Sequence, residues 1–153
     1  MLKKTIARLV ALAVVLVGSL AITGQAHASG SECGLENVGG SQFRLCTYVN
    51  NDGGDGLYIN YANVYLDTSL AYWTFPTGLN CTVQPALTLW YSNGFSTVTG
   101  PTYSCAAFQG NLSYTFGLHK EQPANENEVC ATLFFSPYNQ RVGYNDDCVG
   151  VHR

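Results

Sequence analysis

Positive charge is what this sequence most lacks. Of its 153 residues, seven are Lys or Arg and ten are Asp or Glu. Three of those seven sit at the start, as Lys3, Lys4 and Arg8. An apolar run follows from Leu9 to Ile22, and Ala26-His27-Ala28 forms a small-x-small site. That order is the pattern of a signal peptide cut after Ala28, and its apolar run is too short for a stable membrane span. The expected organisation is a leader at 1–28 and one secreted domain at 29–153, free of the membrane once processed. Cleavage removes three basic residues and no acidic one, which leaves a net charge of −6. Arg44, Lys120, Arg141 and Arg153 are then scattered, and neutralising phosphates needs clustered cations, so nucleic acid is excluded as a partner.

Helical periodicity is also missing after the leader, because no window repeats apolar residues at three-to-four spacing behind a cap. Several catalytic signatures are absent too. No G-x-S-x-G elbow accompanies His119 or His152, so a serine triad has no local support. A ribonuclease built from His119, Glu121 and Arg141 would have to work against the negative charge of the domain. Glycosidase chemistry needs two carboxylates at a fixed separation, and nothing in the spacing selects a pair. The run Asn50-Asn51-Asp52-Gly53-Gly54-Asp55-Gly56 offers oxygen donors for calcium but misses the EF-hand spacing, and Asx-Gly runs are what turns require. The expectation is a protein that is not an enzyme and has no cofactor and no metal.

Six cysteines are present in the exported part, at 33, 46, 81, 105, 130 and 148. No C-x-x-C pair occurs and both mature histidines lie far from any Cys in sequence, so disulfides are favoured over metal ligation. Turn positions then select a pairing. Residues that face each other in a hairpin are symmetric about its turn. Cys33 and Cys46 are symmetric about Gly39-Gly40, Cys81 and Cys105 about the loop Ser92-Asn93-Gly94, and Cys130 and Cys148 about Asn139 within Ser136-Pro137-Tyr138-Asn139-Gln140. The middle register also sets Val83 against Tyr103, Leu87 against Thr99, Leu89 against Thr97 and Tyr91 against Phe95. Pro85 and Pro101 oppose each other there, which calls for an edge position or a bulge.

Alternation with period two marks the strands. Phe43, Leu45, Thr47 and Val49 form one stripe, with Arg44, Cys46 and Tyr48 on the opposite face. Leu112, Tyr114, Phe116 and Leu118 form a second, Val129, Ala131, Leu133 and Phe135 a third, and Val149 with Val151 a short last one. About eight short strands are predicted, near 43–50, 57–66, 70–75, 81–91, 95–105, 112–119, 129–135 and 147–152. The polar stretch from His119 to Glu128 reads as a solvated loop. Close spacing and one wet face per strand indicate an all-β fold, a disulfide-stapled antiparallel β-sandwich.

Aromatics with a polar handle are abundant outside the apolar stripes: Tyr58, Tyr61, Tyr65, Tyr72, Trp73, Trp90 and Tyr91, interleaved with Asn60, Asn63, Thr74 and Thr88. Such rings beside amides and hydroxyls suit a sugar or a protein surface. The composition looks like that of a bacterial exported protein. The function expected is a secreted non-catalytic binding module for an extracellular glycan or protein, with Trp73, Trp90, Tyr72 and Tyr91 as candidate contacts. Two alternatives stand beside it. One is a proteinase inhibitor presenting a loop tethered by Cys81–Cys105 or the 119–128 segment, and the other is a small secreted hydrolase.

Overall fold

In the computed structural model the described residues are 29–51, 58–122 and 127–151. The expected leader at 1–28, most of the Asn50 to Gly56 turn and His152 lie outside them. Among the described residues there are ten strands and one short helix: β1 (Gly30–Val38), β2 (Ser41–Asn50), β3 (Tyr58–Asp67), β4 (Thr82–Tyr91), β5 (Gly94–Thr99), β6 (Tyr103–Ser104), α1 (Cys105–Asn111), β7 (Ser113–Glu121), β8 (Asn127–Ser136), β9 (Gln140–Val142) and β10 (Cys148–Val151). They form two antiparallel sheets. Sheet A runs β1-β2-β3-β7, and sheet B runs β10-β8-β4-β5, with β6 pairing β4 and β9 pairing β8.

The predicted stripes are the inner faces of this sandwich. Phe43, Leu45, Thr47 and Val49 are buried from sheet A, and Val129, Ala131, Leu133 and Phe135 from sheet B. Phe43 reaches across the interior to Phe135, ring centroids 6.0 Å apart. Thr47 is the one polar member of its stripe, and its hydroxyl is fully used: it donates to the Asp147 carbonyl and accepts from the Ala131 N–H. A buried hydroxyl without partners would cost stability, whereas here it ties β2 to β8 and to the loop before β10.

All three disulfides join the expected cysteines. Cys33 and Cys46 face each other on β1 and β2, and Cys130 and Cys148 on β8 and β10. Cys81 precedes β4 and bonds Cys105, the first residue of α1. Each closes a loop of the length for which chain entropy gives about 3 kcal/mol.

Four expectations need correction. First, residues 70–75 are not a strand. Thr68–Tyr72 turn, and the chain then runs beside β2, where the Thr74 N–H donates to the Gln42 carbonyl at 2.7 Å. This path inserts Phe75 into the core against Phe43, at 4.9 Å. Second, the predicted strand 95–105 breaks after Thr99 and ends in a helix. Ser104 caps α1 by accepting from the Ala107 N–H, and only Cys105 and Phe108 are buried from it. A seven-residue helix is too short to show a period, so pattern reading passes over it.

Third, the β4–β5 turn has two residues instead of three. Tyr91 pairs with Gly94, whose φ is 143°, and this places Leu87 opposite Val98, Leu89 opposite Ser96 and Trp90 opposite Phe95. One extra residue after Gly100 restores the expected pairing of Val83 with Tyr103 in β6. The irregularity lies where the two prolines would have met, and the Gly100 N–H donates to the Pro85 carbonyl at 2.7 Å. Fourth, β7 continues through Glu121 and β8 begins at Asn127, so the described ends of the 119–128 segment are strand. His119, with φ of 44°, lies at an irregularity in the β3–β7 pairing. β1 is an addition to the predicted strands, although pairing Cys33 with Cys46 required it.

Candidate functional site

The outer face of sheet A holds a polar-aromatic surface. Alternation sends Tyr48 outward from β2, and Tyr61, Asn63 and Tyr65 outward from β3. Register aligns them in rows: Ser31, Tyr48, Asn63 and Thr115 across the four strands, with Cys33, Cys46, Tyr65 and Ser113 in the next row. A shallow groove of about 510 Å³ lies over these rows, lined by Ser31, Tyr48, Asn63, Tyr65, Leu66, Leu112 and Ser113. All of its lining side chains are uncharged.

Contacts within the surface fix its rings. The Tyr65 hydroxyl hydrogen-bonds the Ser31 hydroxyl at 2.7 Å, which anchors β3 to β1 across β2. Tyr48 and Tyr61 pack as a tilted pair with centroids 6.1 Å apart. The Cys33–Cys46 bond lies beside Tyr65, with Sγ of Cys33 3.9 Å from the phenol oxygen. Asn63 stands between the tyrosines, and its Oδ1 is shielded from solvent without a hydrogen-bond partner. At one end the Arg44 guanidinium pairs with Asp67 at 3.1 Å. The N–H and hydroxyl of Ser69 bond the same carboxylate and, with Arg44, hold Asp67 below the usual carboxylate range.

The four residues singled out from sequence do not share one surface. Tyr72 is 92% exposed in the β3–β4 loop, whereas the neighbouring Trp73 is half-buried against the core. Trp90 is at the far end of β4 from that loop. Its indole N–H donates to the Tyr144 carbonyl at 2.9 Å, and its ring lies 4.9 Å from Phe95. Tyr91 points to the opposite face of the strand and packs on the core, its hydroxyl 3.3 Å from the Ser96 hydroxyl. The Trp90 neighbourhood is organised around Arg141, whose guanidinium lies 4.5 Å from the Tyr144 ring, 5.5 Å from Phe134 and 5.7 Å from Phe95 and donates to the Thr88 hydroxyl.

The proposed ribonuclease trio is separated, with His119 and Glu121 on β7 of sheet A and Arg141 on β9 of sheet B. Among the described residues, two groups of possible metal ligands come close, Cys33, Cys46 and Asp67, and Glu128, Cys130 and Cys148. In both, the sulfurs are spent in disulfides and offer no thiolate. One buried acid had no sequence signal. Asp147 is fully buried, its Oδ1 filling the space above Gly34 where any other residue would place Cβ. Burial pushes its carboxyl up to about 8, and the negative charges of Glu36 and Asp146 add to the rise.

None of the groove residues was among the four candidate contacts; Tyr65 and Asn63 were noted among the polar aromatics and their neighbours, whereas Tyr48, Ser31 and Ser113 were not selected. Tyr48 was legible as outward-facing, but nothing local says that β3 lies beside it. No family model, curated protein or solved structure matches the chain. What the fold and surface define is therefore a class: a disulfide-stapled antiparallel β-sandwich with an uncharged tyrosine-lined face.

Proposed function

We propose that this is an exported, non-catalytic binding module that holds a neutral glycan on the outer face of sheet A. The observation that carries this reading is the uncharged groove over Tyr48 and Tyr65, where phenol rings lie beside the hydroxyls of Ser31 and Ser113. Sugar C–H faces pack on such rings while sugar hydroxyls bond Ser31 and Ser113. An uncharged lining on a domain of net charge −6 favours a neutral glycan over a polyanion. Export supplies the oxidising compartment in which three disulfides form and persist.

The test is a glycan array followed by calorimetry on the array hits. Binding in the range of about 10–100 μM is expected, since a shallow, solvated groove buries little area. Tyr48→Ala and Tyr65→Ala should each weaken it about tenfold or more, the loss of one stacked ring. Trp90→Phe, remote from this face, should leave it unchanged. Hits whose affinity ignores both tyrosine substitutions, or an array without neutral-glycan hits, would remove the proposal.

A further inference from the structure

We propose that β5 is a dimerisation edge, across which two copies of this chain pair through antiparallel β5 strands. The edge strands are β1 and β7 in sheet A and, in sheet B, β10 and β9 along one side and β5 and β6 along the other. Exposed edges template pairing unless they are blunted by charge, shortness or proline. β1 carries Glu32 and Glu36, β7 ends on Lys120 and Glu121, and β10, β9 and β6 have four, three and two residues. β5 has none of these devices. Its sequence is Gly-Phe-Ser-Thr-Val-Thr, and all six residues are exposed.

The strand is also prepared for pairing. The Gly100 N–H points to β4, and peptide directions alternate along an extended strand, so Gly94, Ser96 and Val98 share that direction. Phe95, Thr97 and Thr99 consequently aim their main-chain N–H and C=O groups away from the sheet, at the free edge. A two-fold axis at Thr97 would set Thr97 against its own copy and Phe95 against Thr99, giving about six main-chain hydrogen bonds. Phe95, 54% exposed, would be covered in that arrangement.

A second copy is the occupant that the charge pattern fits. No Lys, Arg, Asp or Glu occurs between Asp67 and Lys120, a segment that contains β4, β5 and their turn. The domain's negative charge is thus carried elsewhere, and two such edges meet without like-charge repulsion. Two-fold pairing is self-complementary, as an isologous interface requires. Sheet A is outside this interface, so the inference stands independently of the glycan reading.

Sedimentation equilibrium on the processed, disulfide-intact protein tests it. Pairing of one short strand buries less than the ~1,600 Å² of a standard interface, so the dimer is weak and the series should extend to about 500 μM. The expected result is a mass rising from one chain to two, with amide exchange at Phe95, Thr97 and Thr99 slowed about tenfold or more at the high end. Thr97→Lys and Thr99→Lys, both at exposed positions, should stay monomeric with unchanged circular dichroism, while Thr97→Val should still dimerise. A monomeric mass across the series would overturn the inference. So would a dimer that survives both lysine substitutions, or one that leaves exchange at the three amides unchanged.

Discussion

Raising the pH from about 5 to about 7 should destabilise this protein, and Asp147 should account for most of the change. Its carboxyl is fully buried and retains its proton up to about pH 8, against 3.8 for an ordinary aspartate. Burial is the largest cause, with Glu36 and Asp146 next, and the Gly34 amide and Arg44 oppose them only weakly. Between the two values the folded state holds a proton that the unfolded chain releases. The contribution is therefore fully present below about pH 4 and is lost as pH rises through about 8. The slope in between is about 1.4 kcal/mol per pH unit, or about 2.7 kcal/mol over the two units. Glu36, raised chiefly by burial, acts in the same direction. Asp67 is lowered, so its contribution is lost only as pH falls through its folded value, below this window.

Urea unfolding with the disulfides intact measures the effect. With a slope of about 1.5 kcal/mol per molar for a domain of this size, the midpoint should fall by about 1.8 M between the two pH values. Asp147→Asn keeps the carbonyl that receives the Thr47 hydroxyl and cannot ionise, so most of the dependence should vanish. A wild-type midpoint that is flat or rises over this interval would refute the reasoning, as would an Asn variant that retains the full slope.

Replacing Cys81 and Cys105 together with Ser should lower unfolding free energy by about 3 kcal/mol, because that bond closes the longest loop of the three. Equal urea midpoints would contradict it. Gly34→Ala should cost about 3 kcal/mol, since its methyl group would collide with Asp147 Oδ1. Asp147→Ala in the same chain should recover part of that loss, and a purely additive double mutant would argue against the contact. Arg141→Lys should cost about 1–3 kcal/mol in thermal or urea unfolding, because a compact ammonium cannot lie flat among Tyr144, Phe134 and Phe95.

Much of the architecture was legible in the sequence because strands write their two faces in alternate residues. Leu45 and Val49 turn inward and Tyr48 outward for a reason local to β2. The disulfide pairs were legible on similar grounds, as cysteines symmetric about turns. For Cys130 and Cys148 the route was less direct than that symmetry implies. The chain first makes β9, which pairs Gln140 with Phe135, and only after the loop through Gly143 does β10 bring Cys148 opposite Cys130. The β4–β5 turn shows the limit of such arithmetic. One residue fewer in the loop moved Phe95 from opposite Tyr91 to opposite Trp90.

By itself, then, the sequence determined which residues face inward, which cysteines join and that the fold is all-β. Tertiary structure alone decided which outward side chains become neighbours. Ser113 lies beside Tyr65 because β7 docks on β3 after more than forty intervening residues, and Ser31 reaches Tyr65 across the whole width of β2. Alternation is a property of one strand, whereas strand order is set by how two sheets bury their stripes against each other, and no local pattern encodes that choice.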